Sequence, residues 1–587
     1  MKTKPPRVRR VYRSNLIESK LALCGWLVLA SLVLPDWVHA ATPTTDEIER
    51  GRRIYQEGIL PSGAPLHGMR SGKVEVKGPQ AACANCHRPS GMGSVEGGIQ
   101  VPPISGKFLY AQAGDMALAA MDLRGEKRMN QAHAPYTDDT LAQAIRLGIN
   151  NSGRSMNPVM PHYALDKPEM QALAAYLRQL SSQWSPGATA DTLHFATVIA
   201  PGISPERRKT LVDMLTLMFK QKNANTVTRS GGGRRHMVSA AEMVLGTERR
   251  WQLHVWELQG APETWAAQLH DDYQREPVFA LISGLSETTW APVHEFCNQA
   301  QVPCLFPSVP LPPATESFYS VYFSRGVALE AGVLARYLSG QGAQKPQRVV
   351  QVYHDDWMGR GAAQALKQAV AGSGITVEDR CLPDVNPQSL QQATKNMTGA
   401  EVLMLWLRPA ELALLEKLAP PSASVYFSGE LTGEERGPFP VAWKKHAKLV
   451  YPYDLPGQRE DNMANFRAWL TMRGLAVVDE PLQAEAFFAV NFLTDTVAGM
   501  LDNLYRDYLL ETTESMLSKA EGMKSEQQAR DREMLGKPHS LPTQHASTTI
   551  YPHLGLGPGQ RFASKGAYIV RLGEDGKLTA ESGWIVP

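Results

Sequence analysis

The chain has little cysteine: six residues in 587, at positions 24, 83, 86, 297, 304 and 381. So few thiols in so long a chain exclude a disulfide-dense scaffold. Only Cys83 and Cys86 have Cys-x-x-Cys spacing, so a zinc ribbon, which needs a second such pair, is excluded as well. After the first forty residues no apolar run reaches the ~20 residues needed to cross a bilayer. Residues 192–587 lack a Gly-rich phosphate loop, a Gly-x-Ser-x-Gly elbow and a His-Glu-x-x-His pair, which removes the usual markers of nucleotide hydrolysis, serine esterases and zinc proteases. Charge of neither sign dominates, with 60 basic and 58 acidic residues, and nothing points to a nucleic-acid partner.

What is present begins with the N-terminus. Lys2, Lys4, Arg7, Arg9, Arg10, Arg13 and Lys20 form a basic region, residues 21–34 are apolar, and Val38-His39-Ala40 is a small-residue cleavage site. This pattern predicts a cleavable signal peptide over 1–40 and export to the periplasm. The apolar run is too short for a stable membrane anchor, so no membrane span is expected after cleavage. Cys24 follows Leu23 rather than a small residue, which argues against lipidation, and Arg9-Arg10 reads as ordinary positive charge. Removing 1–40 leaves acidic residues slightly in excess. The remaining length suggests several domains.

Cys83-Ala84-Asn85-Cys86-His87 is the densest signal in the chain. Cys-x-x-Cys-His is the attachment pattern of c-type haem: each thiol bonds one vinyl group, and the adjoining His reaches the iron. A thioredoxin-like pair would follow a strand, and Lys77-Gly78-Pro79-Gln80-Ala81-Ala82 is no such strand. Around the motif the pattern is helical. Thr44 and Glu47 make a capping box for a helix to Glu57, Thr137 opens a short helix over 138–147 closed by Gly148, and Asp166 with Glu169 caps a helix to about Leu180.

Helix, haem motif, helix, helix resembles a small class I cytochrome c, and the expected domain spans 41–184. Within Gly153-Arg154-Ser155-Met156-Asn157-Pro158-Val159-Met160-Pro161, the run Met160-Pro161-His162-Tyr163 is similar to that family's Met-Pro-x-Tyr pattern, and Met156 is not. The resemblance implies one covalent haem c held by Cys83 and Cys86, with His87 and Met160 as axial ligands of the iron; His162 and His133 are the alternatives to Met160. Val101-Pro102-Pro103-Ile104 resembles the family loop in which a Pro carbonyl accepts the Nδ1–H of the proximal His, with Pro102 and Pro103 equally placed. The loop before Cys83 and the segment 107–135 are longer than in the shortest cytochromes, as surface insertions or docking surfaces.

Residues 181–191 are a small-residue linker. Beyond it, strand-like runs at 195–200, 253–258, 278–283, 303–306, 348–353, 402–407 and 425–428 alternate with amphipathic helices, one of them opened by Ser204-Pro205. The alternation predicts parallel sheets covered by helices. The stretch 192–587 resembles a type I periplasmic binding protein of the branched-chain amino-acid kind, through Phe279-Ala280-Leu281-Ile282-Ser283-Gly284, Gln301-Val302-Pro303-Cys304-Leu305-Phe306-Pro307, Tyr322-Phe323-Ser324-Arg325-Gly326 and Val350-Gln351-Val352-Tyr353 before Gly359. The fold class expected is therefore an all-α cytochrome c domain followed by a two-lobed α/β periplasmic-binding-protein-like domain. The resemblance implies a ligand cleft at strand C-termini, with Ser283, Gly284, Ser286, Ser324 and Arg325 as candidate contacts; the same residues also read as helix caps.

Cys297 and Cys304 can form a disulfide in an oxidising compartment if their Cα atoms approach within ~7 Å, and the spacing leaves bridged and free thiols both open. Cys381 is expected as a buried leftover thiol, and 514–533 as a solvated helix. Residues 562–587 read as a closing strand pair with its turn at Gly576.

The function expected is that of a periplasmic mono-haem c-type cytochrome carrying single electrons rather than an enzyme. The fused solute-binding-like domain would dock a redox partner such as a dehydrogenase, or bind a small molecule such as an amino acid or small acid. Two other classes stay open: a solute sensor with haem as reporter, and a haem enzyme such as a peroxidase, which needs an open sixth position on the iron.

Overall fold

The first helix, Thr45–Glu57, buries Gly51, Ile54 and Tyr55 on one stripe. It crosses the helix Lys167–Gln179 so closely that a Cβ on Gly51 would lie 2.0 Å from the Ala172 carbonyl oxygen, so only glycine fits at the crossing. The helix Asp138–Leu147 is capped by Thr137 and ends at left-handed Gly148 (φ 66°), and Lys167–Gln179 is capped reciprocally by Asp166 and Glu169. These three helices enclose a core that includes Ile54, Tyr55, Leu141, Tyr163, Leu173 and Leu177. Two small antiparallel sheets are added to the helices. Strands β1 (His67–Arg70), β2 (Val74–Lys77) and β5 (His162–Tyr163) form one in the order β2-β1-β5; β3 (Ser94–Glu96) and β4 (Ile99–Val101) form the other.

In this computed structural model the described residues are 43–70, 74–96, 99–111, 134–227, 248–432, 439–535, 549–557, 559–573 and 576–587. The expected signal segment 1–40, Cys24, His133 and most of 107–135 lie outside them. Residues Thr45–Pro587 form one compact unit. Among the described residues no helix is long and apolar enough to cross a membrane.

Two sheets make the larger part of that unit. The first contains β6 (Thr192–Ile199), β7 (Arg250–Glu257), β8 (Ala280–Ile282), β9 (Cys304–Leu305) and β10 (Ser320–Val321), all parallel in the order β10-β9-β8-β6-β7. The second contains β11 (Arg348–His354), β12 (Thr376–Leu382), β13 (Val402–Trp406), β14 (Ser424–Ser428), β15 (Ala447–Tyr451), β16 (Tyr568–Leu572) and β17 (Leu578–Ala580), in the order β12-β11-β13-β14-β15-β16-β17. The sheets are buried on both faces, which is why their strands read as continuous apolar runs. In β6, Phe195 joins one core while Ala196 and Val198 join another; in β11, Val350 and Val352 face one core while Val349 and Tyr353 face the other.

The parallel sheets expected from the alternation are closed at one edge by the strand pair expected at 562–587. β16 runs antiparallel to β15, and β17 antiparallel to β16. The last two strands are joined by a tight turn at Gly576 (φ 78°) rather than by a crossover helix, and such a hairpin is antiparallel by construction. The expected solvated helix at 514–533 is the largely exposed part of a longer helix, Arg506–Leu535, whose earlier turns bury Glu511 and Glu514, 6% and 5% exposed.

Candidate functional site

Cys83 stands at the N-cap of the short helix Ala84–His87, which places both thiols and the following imidazole on one turn. Hydrogen bonds hold this turn from both sides. The Tyr163 hydroxyl donates to the Ala81 carbonyl at 3.0 Å, and the Tyr55 hydroxyl to the Arg88 carbonyl at 2.7 Å. Asn85 Nδ2 donates to the Pro79 carbonyl at 2.7 Å, and Ser94 Oγ to that of Cys86 at 3.2 Å. Arg88 takes a left-handed conformation (φ 66°) that ends the helix.

His87 is 8% exposed. Its Nδ1 lies 3.0 Å from the Pro102 carbonyl oxygen. A carbonyl only accepts, so Nδ1 carries the proton and Nε2 keeps its lone pair. Burial pushes the imidazole down to about 4, against the opposing pull of the Pro102 bond, so the ring is neutral at neutral pH. Of the two prolines left open by the sequence, Pro102 is the one bonded to His87. Burial also pushes the Cys83 thiol up to about 12.

Cys83 and Met160 both pack against the core of this domain. Met160 is half-buried, and its N–H donates to the Asn157 carbonyl at 3.0 Å. Met156, equally half-buried, donates its N–H to the Gly148 carbonyl at 2.8 Å. His162 is exposed, and its ring sits beside Gly148, where a Cβ would meet Nε2 at 2.3 Å.

A haem fits this donor set. The thiols of Cys83 and Cys86 are free, the imidazole offers an unprotonated Nε2, and Leu147, Ile149 and Val159 leave apolar surface exposed in the stretches flanking Gly148 and Met160. No group of three or more His, Cys, Asp or Glu that could hold a metal ion gathers among the described residues.

The candidate residues of the second part are placed differently. Ser283 directly follows β8 with a positive φ (54°), buried, with no partner for its hydroxyl. The Trp290 ring covers Gly284, where a Cβ would lie 2.8 Å from it. Ser286 Oγ accepts the Thr288 N–H and donates to the Thr289 carbonyl, both at 3.1 Å, and Ser324 Oγ accepts the Gly326 N–H at 2.9 Å. Ser286 and Ser324 therefore hold turns. Arg325 is exposed, with its guanidinium 4.8 Å above the Phe562 ring.

Sequence reasoning missed three features. Phe306 and Phe323, just past β9 and β10, meet Phe488, Phe492 and Tyr551, with Phe323 and Tyr551 stacked at 5.2 Å and Tyr551 in turn 5.5 Å from Tyr453, just past β15. Glu330 is a fully buried carboxyl bound by Ser428 and by the Glu430 N–H, held well above the usual range by burial. Glu511 is the third. None carries a local pattern, and only the fold brings their partners together.

Cys297 and Cys304 are both fully buried free thiols, and burial, with the Cys304 side chain next to it, holds the Cys297 thiol well above its ordinary value. Cys381 is exposed on the outer strand β12, not buried as expected, because an edge strand has solvent on one flank.

The cytochrome c family matches residues 77–181, and the periplasmic binding protein family matches residues 234–419. No curated protein matches the chain in sequence. Among solved structures, a fatty acid ABC transporter substrate-binding protein from Thermomonospora curvata is 14% identical, covering 69% of this chain and 95% of its own, with a TM-score of 0.47. An ABC transporter substrate binding protein from Aeropyrum pernix is 15% identical over 68% of this chain and 96% of its own, with a TM-score of 0.46. A branched chain amino acid ABC transporter from Thermus thermophilus with bound valine is 10% identical over 68% and 97%, with a TM-score of 0.46.

Proposed function

We propose that this chain, a cytochrome c domain followed by a periplasmic-binding-protein-like domain, is a periplasmic electron carrier with a single haem c. Residues 1–40 serve as its signal peptide, 41–184 as the haem domain and 192–587 as the lobed domain. Cys83 and Cys86 bind the macrocycle, and His87 and Met160 are the axial ligands. The observation that carries this reading is the Nδ1–H···O=C bond from His87 to Pro102, which fixes the ring tautomer and leaves Nε2 as the donor to iron. The haem supplies one-electron chemistry when bound. The chain's own residues orient the ring, keep it neutral and seal it from water.

The lobed domain either docks a periplasmic redox partner such as a dehydrogenase or binds a small molecule such as an amino acid or small acid. Two buried hydroxyls without partners, Ser283 and Ser564, stand past the C-terminal ends of the first sheet's strands, where such a fold accepts ligand. Met ligation predicts a weak long-wavelength absorption band in the oxidised protein that Met160→Ala abolishes; an unchanged spectrum removes Met160 from the site. A panel of amino acids and small acids in thermal melting tests the lobes, since a true ligand at about 100 times its dissociation constant adds ~2.7 kcal/mol.

A further inference from the structure

The loop directly after His87 is gripped by the other domain. Ser90 lies three positions past the ring and is 1% exposed. Its N–H donates to Glu511 Oε1 at 2.8 Å, and its hydroxyl to Oε2 at 2.5 Å. Its carbonyl accepts from the Ser181 hydroxyl at 2.6 Å, and its Oγ accepts the Met92 N–H at 3.1 Å. Beside it, Arg88 Nη2 meets Glu514 Oε2 at 3.0 Å, and Arg561 approaches the same oxygen at 3.4 Å. Asp507, Glu511 and Glu514 recur at i, i+4 and i+7, so the helix Arg506–Leu535 presents all three on one face. Met92 and Phe108 of the haem domain pack with Tyr505, just before that helix.

This grip reaches the ring through a short path. The Gly93 N–H donates to the His87 carbonyl at 3.0 Å, and the Ile104 N–H to that of Gly91 at 2.8 Å. A Cβ on Gly93 would lie 2.1 Å from the Val101 carbonyl oxygen, so the loop and the segment bearing Pro102 are pressed together without slack. The Pro102 carbonyl is the acceptor of the His87 Nδ1–H. These contacts link the loop at Ser90 to that bond, which tunes how strongly an imidazole donates to iron.

We propose that Glu511 is a positioning residue for the haem: bound to Ser90 across the domain junction, its protonation sets the midpoint potential of the iron. The proposal rests on the haem reading given above. Burial pushes the Glu511 carboxyl up to about 8, with Ser90 pulling it down. Asp507 on its own helix opposes its ionisation and Arg88 from the haem loop favours it. Tyr55 of the haem domain also feels its charge, and Glu514 and Arg561 stand around Arg88. Ionised Glu511 places a negative charge beside the loop and favours ferric iron, so the potential falls as pH rises through about 8.

The test is a spectroscopic redox titration of the full haem-loaded chain between pH values below and above about 8. The wild-type midpoint is expected to fall across that span, and Glu511→Gln, which keeps the shape but cannot ionise, to hold the low-pH value throughout. Ser90→Ala, lacking the hydroxyl contact, is expected to shift the midpoint at every pH. Glu526→Gln on the exposed part of the same helix is expected to follow wild type. A Glu511→Gln curve that superimposes on wild type overturns the proposal. Should that variant not fold, a Ser90→Ala curve identical to wild type overturns it equally. The haem reading fails by a separate sign, a wild-type absorption spectrum retained in His87→Ala.

Discussion

The haem domain and the lobed domain draw their specificity from contacts of very different reach. In the first, Thr137 caps its helix through Thr140, Asp166 through Glu169, and Cys83, Cys86 and His87 lie on a single turn. In the second, Arg506 donates to the carbonyls of Pro186, Val278, Phe279, Ala300 and Gln301, and Arg249 reaches Asp502. Glu330 there meets Ser428 and the Glu430 N–H, about a hundred positions away. Chemistry carried by a short pattern needs only its own turn to be formed. Chemistry carried by distant partners needs the whole assembly, so the second domain should respond to single buried changes over a wide area.

Four changes sharpen that contrast, from the largest effect to the smallest. The double change Cys83→Ala with Cys86→Ala is expected to leave the haem without any thioether while most of the chain stays folded, read as lost covalent haem staining with unchanged far-ultraviolet circular dichroism. Arg506→Met should strip buried carbonyls of their donor and cost about 3–5 kcal/mol in denaturant unfolding; a cost near that of a surface substitution would break the contrast.

The third change concerns Glu330, whose folded carboxyl is held well above its ordinary value of 4.5 by burial. Its stabilising contribution is complete below that unfolded value and declines as pH rises toward the folded one. Glu330→Gln can accept from the Glu430 N–H and donate to Ser428, so it should reduce the loss of stability seen on going from about pH 5 to 8. Unfolding midpoints at the two pH values read the difference. Asp166→Ala, which removes a local cap, should cost only about 1 kcal/mol in thermal melting.

Legibility followed the same division. The Asp166–Glu169 capping box, the Thr137 cap, Gly148 as a helix end and the alternation of strands and helices were all visible, because each depends on neighbours within a few positions. The Cys83–His87 motif was visible for the same reason. The choice of Pro102 over Pro103 was not, since it depends on how the 88–93 loop folds back against the segment 101–102. Ser286 and Ser324 looked like candidate ligand contacts and hold turns instead, because a serine after a strand serves either purpose until its partners are known. The stretch at 514–533 looked solvated from its charge and is largely exposed, but not at Glu514, on which Arg88 and Arg561 converge from distant segments.

The amino-acid order by itself determined that two domains exist, that one carries a haem motif, and where most helices start. Those features arise from dihedral preferences, caps and periodic apolar spacing, which act over a turn or two. Only the tertiary structure decided which carbonyl holds the His87 ring, that Phe323 and Tyr551 stack on each other, and that Glu511 closes on Ser90. Each joins groups far apart in the chain, and desolvation makes such a contact count only once the surrounding core has formed.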